Sequence, residues 1–365
     1  MRIALKELVR QPGRFVTATV ILTLISLLLM FLGGLLDGLI ASSTGALRAQ
    51  EAEAIVYDDT AQASFVRSRI EPDVRERIEE LDGVDEVGGL GLVQLGARVP
   101  GNGPRDLANV ALFGYELAPD GVGEVPPPGQ AYADDVLQAD GVELGMTILL
   151  GPARSPIEVI GFVSDTSFNG QGGLWAAPET WREVLGANRP DARLGEGVFQ
   201  ALVVRGDADG DLPDRIDAAT DGETDSYTVD GAVNAIPGVQ EQQSTFSQII
   251  GVTILIALVV IGLFFALLTV ERISLYGVLK ALGARTRTIF AGLVAQAVAV
   301  TLVAAAVAAV LVVGLDLLIP PGSIPLAIGP SRILTSVALL LVAAVAGCAF
   351  SLRRVLRVDP ASAIG

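Results

Sequence analysis

The 365 residues carry 41 acidic and 25 basic side chains, a formal net charge of −16, with no histidine and a single cysteine, Cys348. These counts exclude zinc sites of the Cys/His kind, Ser-His-Asp and Cys-His nucleophile systems, and a disulfide scaffold. The charge is concentrated: residues 37 to 248 hold 37 acidic and 13 basic side chains, a field that disfavours nucleic acid and anionic headgroups as partners of that region.

In chain order, Met1 to Arg10 places Ile3, Leu5, Leu8 and Val9 toward lipid and its basic residues toward headgroups. This predicts an interfacial helix within a cytoplasmic segment 1–14. From Phe15 to Leu36 the chain runs 22 residues without a charge, enough to cross a bilayer as transmembrane helix 1, placed at 15–40. The run is longer than the ~7 to 15 apolar residues of a signal peptide, so it reads as a retained span. Gly34 and Gly38 form a small-xxx-small pair at its outer end and are candidates for a dimer contact. Asp37, like Asp316 further on, sits at the outer end of a span, where a carboxylate reaches water.

Residues 41 to 248 change character, with short β-like runs alternating with short amphipathic helices. Strands are expected at Val87–Val99, Val110–Phe113, Thr147–Leu150, Ile157–Val163 and Gln200–Val204, and helices at Pro72–Leu81, Pro178–Leu185 and Leu212–Ala219. Pro126, Pro127, Pro128 and Gly129 form a stiff break that no helix or central strand contains, so a mixed α/β domain of two subdomains is expected. Asp134 and Asp135 read as a solvated pair. Asp207, Asp209 and Asp211 imitate the start of a calcium loop, but Leu212 stands where glycine is needed and Ala218 where the bidentate glutamate belongs, so no metal site is assigned.

Three more charge-free runs predict transmembrane helices at 249–270, 289–315 and 333–352. Gln296 is a polar amide within a span and reads as a helix-to-helix contact. Basic residues favour the cytoplasmic side in short loops. Residues 1–14, 271–288 and 353–365 hold four, four and three of them against one acidic residue each, whereas the loop 316–332 holds one of each sign. Both termini and the 271–288 segment are therefore expected in the cytoplasm, with the α/β domain outside. The fold class is an α-helical membrane protein of four transmembrane helices, with a mixed α/β extracytoplasmic domain between helices 1 and 2.

No GxxxxGK[ST] loop is present, and neither lysine, Lys6 or Lys280, follows a glycine-rich turn. A chain without that cradle for the phosphates has no means of hydrolysing ATP by itself.

The stretch Glu271-Arg272-Ile273-Ser274-Leu275-Tyr276-Gly277-Val278-Leu279-Lys280-Ala281-Leu282-Gly283-Ala284 resembles the cytoplasmic segment after the second span of FtsX-like permeases. That family includes MacB-type and lipoprotein-releasing ABC transporters. Ala235-Ile236-Pro237-Gly238-Val239 ahead of the second span and Val358-Asp359-Pro360-Ala361 in the tail agree with it. The resemblance implies a homodimer or pseudo-dimer in the plasma membrane, with a separate ABC ATPase subunit that binds ATP and magnesium docked underneath; no cofactor is expected in this chain. It also implies that 271–288 is the coupling helix, with Glu271, Arg272, Gly277, Lys280 and Gly283 at the docking surface. Gly283 stands at a C′-like position, where glycine ends a helix readily. An accessory extracytoplasmic protein is a further partner the family admits.

Unlike MacB this chain has no ATPase domain of its own, and its outer domain is larger than that of the cell-division member. The strands from Ala131 to Trp175 look like those of haem-export-type and MacB-like permeases. Without histidine, a haem would have to be ligated by Met30 in the first span, or by a Tyr or Glu. The expected function is the membrane subunit of an exporter of amphipathic or lipophilic compounds. The alternative is a signalling subunit that controls a cell-wall hydrolase or senses a ligand without transport.

Overall fold

The computed structural model describes residues 12–103, 105–207, 210–271, 286–319 and 324–356. Predictions for Met1 to Arg10, for the tail after 356 and for most of 271–288 lie outside these residues. The chain divides into two compact units, an inserted unit at Leu39–Gln242 and a membrane unit built from residues before and after it.

Among the described residues of the membrane unit four helices are long and apolar enough to span a bilayer: α1 (Pro12–Arg48), α6 (Val239–Glu271), α7 (Thr286–Leu318) and α8 (Pro330–Leu356). Each extends beyond its charge-free run, because helix geometry continues past the point where apolar composition stops; α1 adds eight residues after position 40 and α6 starts ten before 249. On α1 the exposed residues Val16, Val20, Leu24 and Leu28 follow one another at a four-residue spacing, one face of a helix. Leu22, Ser26, Leu29 and Met30 are buried on the other side.

The inserted unit carries β1 (Ala54–Asp58), α2 (Pro72–Glu79), β2 (Val84–Arg98), β3 (Leu107–Tyr115), β4 (Gln130–Asp134), β5 (Thr147–Leu150), β6 (Ser155–Val163) and β7 (Gly172–Ala176). It continues with α3 (Pro178–Asn188), β8 (Ala201–Gly206), α4 (Leu212–Ala219), β9 (Thr224–Tyr227) and α5 (Val229–Ala235).

These nine strands form one sheet in the order β3-β7-β4-β6-β5-β2-β8-β1-β9, and β3 also pairs with β2. The extra pairing closes β2, β3, β7, β4, β6 and β5 into a ring, while β8, β1 and β9 extend from the first half of β2. Strand β2 can serve both parts because it is 15 residues long. One of its edges pairs with β3 over Leu90–Arg98, and the other is divided between β8 and β5. One sheet spans the region, and the proline break lies in the loop between β3 and β4.

Alternate residues along the strands enter two different cores. In β1, Ala54 and Val56 join one core while Ile55 and Tyr57 join the other; in β8, Leu202 and Val204 separate from Ala201 and Val203 in the same way. A strand buried on both faces reads as a continuous apolar run. The first core includes Trp181 of α3, whose indole lies against Gly91 and Gly114, paired neighbours in β2 and β3. A Cβ on either glycine would come within 2.2 or 2.5 Å of that side chain, so the ring occupies the space that side chains would otherwise fill. The second core packs Phe113 on Trp175, stacked at 4.5 Å, and includes Ala46 and Leu47 from the end of α1.

Candidate functional site

The membrane unit is held at one end of its spans by an ion pair. Arg332, in the first turn of α8, donates through Nε to Asp37 Oδ2 at 2.6 Å and through its terminal nitrogen Nη2 to the other carboxylate oxygen. Asp37 is therefore paired within the chain. The arginine stem passes over α1 at Gly33, where a Cβ would lie 2.6 Å from Arg332 Cδ. At the next residue, Gly34 accepts a backbone hydrogen bond from Ala327 N at 3.0 Å, and its missing side chain leaves room for Ile328. Gly34 and Gly38, predicted as a dimer contact, are both buried within one copy. At Gly34 the close approach that glycine permits is to the segment leading into α8.

A second close approach joins α6 to α8. A Cβ on Gly347 would meet Gly262 N and Leu258 O, each at 3.0 Å. Sequence reasoning passed over this crossing, although Ala343 and Gly347 have the same small-xxx-small spacing that drew attention to Gly34 and Gly38. Met30 is fully buried against Ala305, Ala308 and Val312 of α7, so its thioether serves helix packing. Gln296 is buried within α7 and Asp316 is partly exposed near its end. Of the predicted docking residues, Glu271 is the exposed last residue of α6. Arg272, Gly277, Lys280 and Gly283 lie outside the described residues, between α6 and α7.

In the inserted unit Asp134, expected to be solvated together with Asp135, is not, whereas Asp135 is partly exposed. Asp134, at the end of β4, is fully buried. Its Oδ1 accepts from Val136 N at 3.1 Å, and its Oδ2 accepts from Thr166 N at 2.9 Å, Thr166 Oγ1 at 3.0 Å and Ser167 Oγ at 3.1 Å. Burial pushes the Asp134 carboxyl above the usual carboxylate range, against these hydrogen bonds, which favour the charged form. Asp135 accepts from Ser164 Oγ at 2.8 Å. Both carboxylates thus fix one loop, residues 164 to 170.

No group of three His, Cys, Asp or Glu side chains among the described residues could hold a metal ion. Asp207 packs against Gly83, and Asp211 precedes α4.

Four apolar helices with an α/β domain between the first two define a multi-pass protein of the cell membrane. Residues 248–360 match the family described as FtsX-like permease C-terminal, a segment that covers α7, α8 and most of α6. A protein of Staphylococcus haemolyticus named as a hemin transport system permease, HrtB, is 21% identical over 371 residues, covering 100% of this chain and 99% of that one. An HrtB of Staphylococcus epidermidis is 19% identical over 366 residues, with the same coverage. Among solved structures, the periplasmic region of MacB from Actinobacillus actinomycetemcomitans aligns with 53% of this chain and 96% of its own, at a TM-score of 0.35 and 13% identity. The extracellular domain of the noncanonic ABC-type transporter YknZ from Gram-positive bacteria aligns with 49% of this chain and 100% of its own, at 0.32 and 11%. Residues 248–360 thus resemble the C-terminal part of FtsX-like permeases, and the whole chain aligns end to end with relatives named as permeases.

Proposed function

We propose that the protein is the membrane subunit of an ABC exporter that moves an amphipathic or lipophilic compound outward, driven by a separate ATPase subunit that binds ATP and magnesium. The observation that carries this reading is the FtsX-like permease match over 248–360, joined to relatives named for hemin transport that align along their whole length. The absence of a phosphate loop from the sequence supports a separate ATPase, and the basic segment between α6 and α7 is the surface offered to it. The inserted domain lies outside the cell in this account, because its excess of carboxylates contrasts with the basic short segments.

Two copies form the transporter, each giving four spans, and nucleotide binding draws their cytoplasmic ends together. Such a cycle needs two discrete states of the dimer, with the helices carrying displacement to the inserted domain. Hemin is the first compound to test. The permease is purified with its genomic neighbour ATPase in nanodiscs, and ATP hydrolysis is measured across a panel of hemin, lipids, lipopeptides and drugs. Stimulation by a member of the panel supports export. Hydrolysis that responds to no compound, together with activation of a wall hydrolase by the inserted domain, would replace export with the signalling role.

A further inference from the structure

Strand β2 leaves part of one edge open. Its pairing with β8 ends at Leu90, and its pairing with β5 begins at Ala97. An open strand edge presents main-chain groups that need partners, and here two side chains supply them. Leu92 N donates to Gln200 Oε1 at 2.6 Å, and Arg189, just after α3, donates through Nη2 to Gln94 O at 3.2 Å. Against this edge lies a cleft with about 30 Å³ of room, space for roughly two or three water-sized groups.

Capping the edge uses only part of what these side chains offer. Gln200 is 7% exposed, and the bond from Leu92 N fixes its amide with the oxygen toward β2, which leaves Nε2 as a donor. That nitrogen makes no hydrogen bond among the described residues, although Gln200 lines the cleft. Arg189 commits one N–H of its fork to Gln94 O and keeps the others. Arg69 is brought to the same place by the backbone. Ile70 and Phe199 form an antiparallel bridge with bonds of 2.8 and 3.3 Å, and that register sets Arg69 opposite Gln200.

These cations differ from others in the same unit. Arg75, Arg77 and Arg205 are each ion-paired, whereas Arg69 and Arg189 have no carboxylate partner among the described residues. None of the side chains lining the cleft is acidic. Beyond Arg69 the sign changes, because Asp59, Glu71 and Glu223 border a separate cleft. The field of the acidic domain repels extended anionic surfaces, but a single anionic group beside two uncommitted guanidinium groups is attracted locally. Much of the remaining lining is apolar, including Leu185 and Leu194, and Val66, 61% exposed, carries it to the surface.

We propose that this cleft receives the anionic head, a carboxylate or a phosphate, of an amphipathic compound. Arg69 and Arg189 supply the opposite charge, Gln200 Nε2 a directed hydrogen bond, and Val66 and Leu194 a surface for the adjoining apolar carbons. The volume admits the head alone, so the body of the compound lies outside it. That the compound is the cargo rests on the export reading, whereas the binding itself does not.

Isothermal titration of the full-length permease in phosphatidylcholine nanodiscs, with empty nanodiscs subtracted, tests the site using octanoate, octyl phosphate, inorganic phosphate and 1-octanol. Octanoate and octyl phosphate should bind. Inorganic phosphate and 1-octanol should bind at least about tenfold more weakly, since each lacks one half of what the cleft recognises. Arg69→Gln and Arg189→Gln should each weaken the first two about tenfold, the loss of one charge-assisted contact. Gln200→Glu keeps an acceptor for Leu92 N but replaces the free donor with a charge of the wrong sign, so it should abolish binding while the thermal unfolding transition stays in place. Inorganic phosphate bound as tightly as octyl phosphate, 1-octanol bound as tightly as octanoate, or undiminished binding in Gln200→Glu would each overturn the proposal. Adding the ATPase separates the two readings. Binding lost in Gln200→Glu, with no response of ATP hydrolysis to any probe in the unsubstituted complex, upholds the cleft and counts against the compound as cargo. Stimulation that survives Gln200→Glu upholds export and overturns the cleft as the cargo's site.

Discussion

Arg332 at the start of α8 and Asp37 on α1 form a two-point ion pair across 295 positions of sequence, fixing the first span to the fourth. Both side chains are about a quarter to a third exposed, 23% and 35%, so the pair is neither a freely solvated contact nor a fully desolvated one. Replacing Arg332 with Gln is expected to cost about 2 kcal/mol, between the values for exposed and buried pairs, because Asp37 would lose its partner. Thermal unfolding of the purified protein measures it. A double-mutant cycle with Asp37→Asn gives the coupling, which should account for most of the single loss.

The crossing of α6 and α8 predicts a graded series at Gly347. Alanine there meets backbone at 3.0 Å and should lower stability modestly; valine or leucine should cost about 1–3 kcal/mol through overpacking. The same substitutions at Gly314, whose Cβ position has nothing within 4 Å, should be tolerated. Equal losses at the two positions would show that the crossing does not hold the helices.

Buried Asp134 gives a pH dependence with a definite sign. Its carboxyl is raised above the ordinary value of 3.8 in the folded state, so the folded chain binds this proton more tightly than the unfolded one. The contribution is favourable below 3.8 and is lost as pH rises from there through the raised value. Subtracting the profile of Asp134→Asn from that of the unsubstituted protein isolates it, and chemical unfolding at a series of pH values supplies both. A difference that grows more favourable with rising pH would mean that the hydrogen bonds from Thr166 and Ser167 outweigh burial.

The spans were legible because a bilayer imposes a length and a composition that no nearby residue can conceal. Strand β5 and helix α4 match their predicted limits to the residue, since each is bounded by turn residues and carries its own apolar pattern. Strands β4 and β7, Gln130–Asp134 and Gly172–Ala176, were missed because short segments rich in Ala and Gly owe their extension to neighbours in the ring. β9, Thr224–Tyr227, is a polar edge strand with no apolar alternation to find. Asp134 was misread for a related reason: its donors Thr166 and Ser167 stand more than thirty positions away, and nothing local distinguishes a buried carboxylate from a solvated one. The docking segment was legible only through family resemblance.

Topology is tested by cysteine accessibility in a Cys348→Ala background. A cysteine at Gln138, exposed in the inserted domain, should react with an impermeant reagent added outside intact cells, and one at Thr288, exposed near the start of α7, only after the membrane is opened. The reverse pattern would place the inserted domain in the cytoplasm.

The most direct test of the account is ATPase docking by the segment between α6 and α7. The purified chain alone should hydrolyse no ATP and should gain activity with its ATPase partner. Interfaces concentrate their energy in few residues, so Gly277→Trp or Lys280→Glu should weaken association by ~2 kcal/mol, about 30-fold in affinity, while the spans still insert. Undiminished co-purification and coupled hydrolysis in both variants would contradict the assignment of this segment, and hydrolysis by the permease alone would contradict the division of labour on which the account rests.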